Sequence, residues 1–267
     1  MRWMAWMRVA MAGVALTAGA DDVLGEAVHP VVVELFTSEG CSSCPPADAL
    51  LRAIDAKRLD SGQMVVGISE HVTYWNRLGW ADPFSAEMYT QRQEGYRSRF
   101  GLESAYTPQV VVNGEREVLG SDRGAVLKAV RETDHRGAAG ASPLRIHVGS
   151  AATEGNRVRL TYSTSGGAER GVELYAVVAE DEVMSQVERG ENSGRRLTHV
   201  SVARTLTRLG GGTAEGERTV EIEAGAPGRA RGKEHVVLFA QRAGLGAIVA
   251  VDVAPVSAGD QAANVRR

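Results

Sequence analysis

The stretch VVVELFTSEGCSSCPPADALL, residues 31–51, constrains the fold more than any other part of the chain. A β-branched apolar run ends in a Thr-Ser-Glu-Gly turn, delivers two cysteines two residues apart, and passes directly into a helical pattern. Residues 31–37 are apolar except for Glu34, as expected of a strand buried on both faces. Cys41 and Cys44 are the only cysteines in the sequence.

Downstream, Leu50, Leu51, Ile54 and Leu59 recur at helical spacing until Asp60-Ser61-Gly62 predicts the helix end. Residues 64–69 predict a second buried strand. It leads into a long loop, residues 70–84, dense in aromatic and polar groups. Ser85 is expected to cap a helix running from Ala86 to about Phe100. Tyr106-Thr107-Pro108 precedes a third strand at 109–112, Asn113-Gly114 predicts a tight hairpin, and 115–119 returns as the fourth strand. Ser121 or Asp122 then caps a helix through Ala125, Val126, Leu127 and Val130. The order βαβαββα is that of the thioredoxin fold. The cysteine pair falls where the first helix begins, and a proline falls just before the third strand.

Residues 134–142 read as a linker. Beyond them, 144–148, 158–163, 172–178, 220–222, 236–241 and 247–253 are short strand-like runs separated by Gly, Ser and Asn. The expected fold class is α/β: a thioredoxin-like domain at 30–134, a β-rich and sandwich-like domain at 143–253, and a disordered polar tail at 254–267.

Residues 1–20 differ from the rest. Arg2 and Arg8, the apolar run 9–16 and Ala18-Gly19-Ala20 have the layout of a secretory signal peptide, and the run is too short for a membrane span. A periplasmic or secreted location follows, with no membrane span after cleavage. The formal net charge of −3 makes nucleic acid and anionic membrane poor partners. Outside the cytosol a nearby thiol pair tends to be oxidised.

Only a thiolate attacks a disulfide, and a helix N-terminus stabilises that anion through its partial charge and unpaired amides. Cys41 is therefore the expected nucleophile and Cys44 the resolving thiol. Pro45 and Pro46 disfavour helical angles at their predecessors, so either the helix begins at the prolines or its first turn is irregular. Pro108 is expected to be cis, to face the cysteines, and to expose the Thr107 backbone for pairing with a substrate chain. Such exchange requires the Cys41 sulfur to be open to solvent and close to Cys44 and Pro108.

The motif ELFTSEGCSSCPPAD, residues 34–48, resembles the signature of an exported bacterial thioredoxin-like family, domain of unknown function 1223. HVTYW at 71–75, GWADPF at 79–84, QRQ at 91–93, YTPQ at 106–109 and GENSGR at 190–195 are similar to that family's further landmarks, and the likeness spans residues 31–253. The resemblance implies a thioredoxin-like fold and export, and it supplies no substrate. Ordinary thioredoxins carry Trp before the first cysteine and Gly-Pro between the pair; here Gly40 and Ser42-Ser43 stand in those places.

Taken together, these features predict a thiol-disulfide oxidoreductase acting on an unidentified protein thiol or disulfide, with a separate redox partner and no bound organic cofactor. One alternative is a non-catalytic binding module in which Cys41 and Cys44 form a structural disulfide, although a loop this short gains little from closure. The other is a Cu(I) or Zn site formed by the two thiolates and His71, disfavoured by the two-residue spacing. Glu34 is a possible proton carrier for Cys44, or the partner of an arginine; Asp48 is a second carboxylate near the pair. Trp75, with Tyr74, Trp80 and Phe84, forms either an apolar lip for substrate or pins its own loop. Residues 190–195 read as a loop of the second half that contacts either the first half or a partner.

Overall fold

The computed structural model describes residues 29–133, 144–167, 171–211, 214–225 and 232–259. The expected signal peptide, the linker and the last part of the expected tail lie outside these residues. Among the described residues, the first part comprises β1 (His29–Thr37), α1 (Pro45–Ile54), β2 (Gln63–His71), α2 (Glu87–Phe100), β3 (Gln109–Val112), β4 (Arg116–Leu119) and α3 (Arg123–Arg131). The second part is all strand: β5 (Arg145–Glu154), β6 (Arg157–Ser165), β7 (Val172–Gln186), β8 (Arg196–Gly211), β9 (Gly216–Glu223), β10 (Glu234–Arg242), β11 (Ile248–Pro255) and β12 (Ser257–Ala258).

β1 lies parallel to β2 and antiparallel to β3, which forms a hairpin with β4. The sheet continues past β2. β8 joins it in parallel at Ser69 and Val202, and the order becomes β11-β10-β7-β8-β2-β1-β3-β4. A second sheet, β12-β5-β6-β9, stands apart. The α/β class and the two sheets are thus present, and strands from both parts of the chain share the larger sheet.

The apolar residues sort by face, as strand alternation requires. Val31, Val33 and Leu35 of β1 meet Ala47, Leu50, Leu51 and Ile54 of α1 and Val126, Ala129 and Val130 of α3. Farther along, Leu174, Ala176 and Val178 of β7 and Val236, Leu238 and Ala240 of β10 pack on Val148, Leu160 and Ile222 of the smaller sheet. Val32, Ile68, Val177 and Phe239 point the other way, toward Tyr89 of α2.

Several boundaries differ from the sequence expectation, each for a local reason. α1 begins at Pro45, with both prolines in the first turn where amides need no partner. It ends at Ile54 rather than near residue 60. Ala56 has φ +54°, and the Asp55 carboxylate turns outward to accept from Gly67 N (2.8 Å) and Ser201 Oγ (2.5 Å). Ala86, not Ser85, is the N-cap of α2, because the Ser85 hydroxyl donates to Asp82 O at 2.8 Å. Asp122 caps α3 through Ala125 N at 2.9 Å. Residues 254–258, expected to belong to a disordered tail, instead complete β11 and add β12, which pairs with β5.

The β3–β4 turn follows the sequence closely. Asn113 and Gly114 have φ +52° and +70°, as a tight hairpin turn demands. Gly114 has a second reason to be glycine, since a Cβ there would lie 2.2 Å from Gly246 O in the β10–β11 turn. Asn113 fastens the same junction, its carbonyl accepting from Ile248 N and its side-chain amide donating to Ile248 O.

Candidate functional site around the Cys41–Cys44 disulfide

Cys41 and Cys44 form a disulfide with Cα atoms 5.4 Å apart, at the C-terminal end of β1 and the start of α1. Cys41 N donates to Ser38 O and Cys44 N to Cys41 O, so the pair sits in a turn; Cys44 is the N-cap, its carbonyl accepting from Ala47 N and Asp48 N. The Thr107–Pro108 peptide bond is cis, as expected. Its loop faces the cysteine turn: Ser43 Oγ lies 3.4 Å from Cys41 Sγ and donates to Thr107 O at 3.5 Å.

One expectation is overturned. Both cysteines are 0% exposed, whereas Ser42 and Ser43 between them are exposed. In the oxidised, closed form the Cys41 sulfur is sealed, so this form does not meet the condition for exchange.

The loop between β7 and β8 is bonded to the backbone of the cysteine turn. Asn192 donates to Glu39 O and Cys41 O, both at 2.8 Å, and Glu191 Oε2 accepts from Ser42 N at 3.1 Å. The GENSGR stretch therefore contacts the first part of the chain directly.

Of the other proposed site residues, Trp75 joins Thr107 beside the cysteine turn, and the rest fall into separate networks. Trp75 Nε1 donates to Thr107 Oγ1 (2.8 Å), Trp80 Nε1 to Glu39 Oε2 (2.7 Å) and Tyr74 OH to Gln93 Oε1 (3.1 Å), while Phe84 is buried against the rings of His71 and His199. The aromatics pin their own loop. Burial pushes the Tyr74 phenol up to about 12.

His71 holds its own loop as well. Its Nδ1 is 2.7 Å from Asp82 Oδ2, which also accepts from Glu39 N at 2.7 Å, while Asp82 Oδ1 accepts from Phe84 N. Burial alone would raise the Asp82 carboxyl; His71 and these two amides outweigh it and hold it below the ordinary carboxylate value. Among the described residues, no group of three or more His, Cys, Asp and Glu side chains is arranged to hold a metal ion.

Glu34 is not directed at the cysteines. Its Oε1 accepts from Arg92 Nε at 2.5 Å and its Oε2 from Tyr96 OH at 2.6 Å, all three side chains being buried. Arg92 also reaches Gln241 Oε1 of β10 at 3.0 Å and lies 3.6 Å from a second buried carboxylate, Glu70. Burial, reinforced by Glu34, pushes the Glu70 carboxyl well above its usual range despite Arg92.

Sequence reasoning missed His199. From β8 it enters the space behind the cysteine turn, Nδ1 being 3.4 Å from Asp48 Oδ1 and Nε2 3.6 Å from Glu39 Oε1. Burial opposes the imidazolium, but Asp48 and Glu39 outweigh it and raise the ring to about 10. Asp48 also accepts from Thr37 Oγ1 at 3.0 Å, and Glu39 from Ser185 Oγ. The Thr- and Val-rich run of residues 196–206 was the available signal for β8.

The profile of a family described as "Protein of unknown function (DUF1223)" matches residues 32–241. Among curated proteins none matches. Among solved structures, a protein from Agrobacterium tumefaciens is 28% identical with a TM-score of 0.57, the match covering 84% of this chain and 92% of that one. A DUF3823 family protein from Bacteroides ovatus is 12% identical, covering 43% of this chain and 55% of that one, with a TM-score of 0.30. The sporulation control protein Spo0M from Bacillus subtilis is 14% identical, covering 45% and 49%, with a TM-score of 0.28. With its profile matched from the first strand to β10, the chain belongs to the DUF1223 family.

Proposed function

We propose that the protein is an exported thiol-disulfide exchange protein of thioredoxin-like build, using Cys41 as nucleophile and Cys44 as resolving thiol on a protein substrate. The observation that carries this reading is the placement of the pair. The disulfide sits at the start of α1, opposite the cis Thr107–Pro108 bond, in a sheet whose first four strands run in the order β2-β1-β3-β4. A reduced Cys41 there would lie near the positive end of the α1 dipole, which favours its anion. The layout of residues 1–20 supports an oxidising compartment outside the cytosol, where such a pair would meet disulfide-bearing proteins.

Exchange runs from an opened form. A substrate thiolate bonds to one cysteine sulfur as the Cys41–Cys44 bond breaks; the departing sulfur takes a proton, and a second thiol releases the mixed disulfide. In the reducing direction the Cys41 thiolate attacks and Cys44 resolves.

A second reading is favoured by the complete burial of both sulfurs: a binding module whose disulfide is permanent. Expression of Cys44→Ser in the exporting host separates the two. Exchange predicts covalent adducts, detected as dithiothreitol-sensitive bands on non-reducing gels and absent from Cys41→Ser/Cys44→Ser. A permanent disulfide predicts none, together with no disulfide reductase activity of the reduced wild type on insulin.

A further inference from the structure

Most of the loop between β7 and β8 is exposed: Glu188, Arg189, Gly190, Glu191, Ser193, Gly194 and Arg195 all face solvent. Asn192, in their midst, is 0% exposed. A buried amide on an exposed tip must find partners for its polar atoms. Asn192 finds them across the fold: its Nδ2 hydrogens go to Glu39 O and Cys41 O, and its Oδ1 accepts from Arg195 Nη1 at 3.0 Å. Two carbonyls on one side and a guanidinium on the other fix which end of the amide is which.

The tip is stiff in itself. Val187 N donates to Arg195 O, Gly194 N to Val187 O, Ser193 N to Gly190 O and Ser193 Oγ to Glu188 O. Gly190, at φ +76°, brings the tip against Trp80, to which a Cβ would come within 3.3 Å. With Glu191 on Ser42 N, this unit grips three backbone groups around Cys41: the carbonyls of residues 39 and 41 and the amide of residue 42. All three bonds run from one tip to one turn, so they can part together.

We propose that the β7–β8 tip is a latch over the disulfide, with Asn192 as its catch: latched, it shields the sulfurs; released, it opens the bond to a dithiol. This rests on the exchange reading for its purpose but on the Asn192 geometry for its existence. The coupling is reciprocal, because a tip that binds the oxidised turn better than the reduced one is itself loosened by reduction. Asn192 is thus a positioning and gating residue that takes no part in the sulfur chemistry.

The test is the rate at which dithiothreitol reduces the full-length oxidised protein, read by alkylation and mass. One reductant thiolate bonds to a cysteine sulfur as the disulfide breaks, the freed sulfur takes a proton, and the second reductant thiol closes its own ring, leaving two cysteine thiols. Asn192→Ala should be reduced at least tenfold faster than wild type in buffer where circular dichroism shows both folded, with a rate nearly independent of low urea, as local opening requires. An unchanged rate, or acceleration that scales with urea like global unfolding, overturns the latch.

Should Asn192→Ala fail to fold, hydrogen exchange on the wild type decides. The Ser42 amide, which donates to Glu191, should exchange at least tenfold faster in the reduced protein, while those of Val187 and Gly194, bonded within the tip, keep their rates; an equal Ser42 rate in the two redox states overturns the latch. The two readings fail separately. Faster reduction of Asn192→Ala with no Cys44→Ser adducts keeps the latch and removes the exchange function, and adducts with unchanged reduction do the reverse.

Discussion

Arg92→Met should lower folding free energy by about 3–5 kcal/mol, the cost of removing one partner of a buried ion pair. The arginine side chain is 5% exposed and the Glu34 side chain 0%. Its Nε serves Glu34, its Nη2 donates to Tyr96 OH at 3.1 Å and to Gln241 Oε1 at 3.0 Å, and its guanidinium carbon stands 5.2 Å from the Tyr96 ring centroid and 5.5 Å from those of Tyr175 and Phe239. Methionine replaces the stem but leaves the Glu34 carboxyl without its cation beside Glu70, with the Gln241 side-chain oxygen short of a donor. The double variant Arg92→Met/Glu34→Leu should recover more than half of the loss, because apolar replacement of a whole buried pair is close to neutral. Urea unfolding of the oxidised proteins at pH 7 measures both. A loss below about 1 kcal/mol for the single variant would show the charge to be hydrated rather than buried.

The second large effect is a dependence of stability on alkaline pH through His199. Its ring is raised from 6.5 to about 10 in the folded protein, so folding holds a proton that the unfolded chain releases near 6.5. The stabilisation is fully present below pH 6.5 and is lost as pH climbs to about 10, leaving Asp48 and Glu39 without their cation. Wild-type stability should fall by a few kcal/mol across that window. Other groups titrate there too, Tyr74 at its upper edge, and the raised Glu70 contributes with the same sign. The diagnostic quantity is therefore the difference from His199→Gln, in unfolding free energies at pH 6 and pH 9.5. The variant should be the less stable by a few kcal/mol at pH 6, with the gap closing by pH 9.5. A gap constant with pH would mean that His199 is neutral in the folded state.

Those two networks show what can be read from local pattern and what cannot. β1, β2 and the β3–β4 hairpin were legible because apolar runs and Asn113-Gly114 specify them with residues adjacent in the chain. α2 was found only through its boundary: its buried stripe is Tyr89, Arg92, Gln93 and Tyr96, a helical face with no aliphatic residue to mark it. β8 was missed because its inward positions include His199 and Ser201, polar residues whose partners, Asp48 and Asp55, lie about 150 positions earlier. The cysteine pair and Pro108 could be placed from sequence because both belong to one local motif and its neighbouring strand. The docking of the β7–β8 loop on the cysteine turn could not, since the side chain that bonds the Cys41 carbonyl comes from residue 192.

The seam between β2 and β8 reaches beyond the arrangement of strands. A fragment cut off at residue 133 would lose the Ser69–Val202 pairing and leave the C-terminal half of β2 as a bare border, on a strand nine residues long, eight of them buried in the whole protein. It would also strip Val200 from the cluster packed around α1, and Ser201 from Asp55. Such a border invites strand addition by a second molecule, so the piece with the cysteines, released by itself, is a seed for aggregation rather than a miniature of the protein.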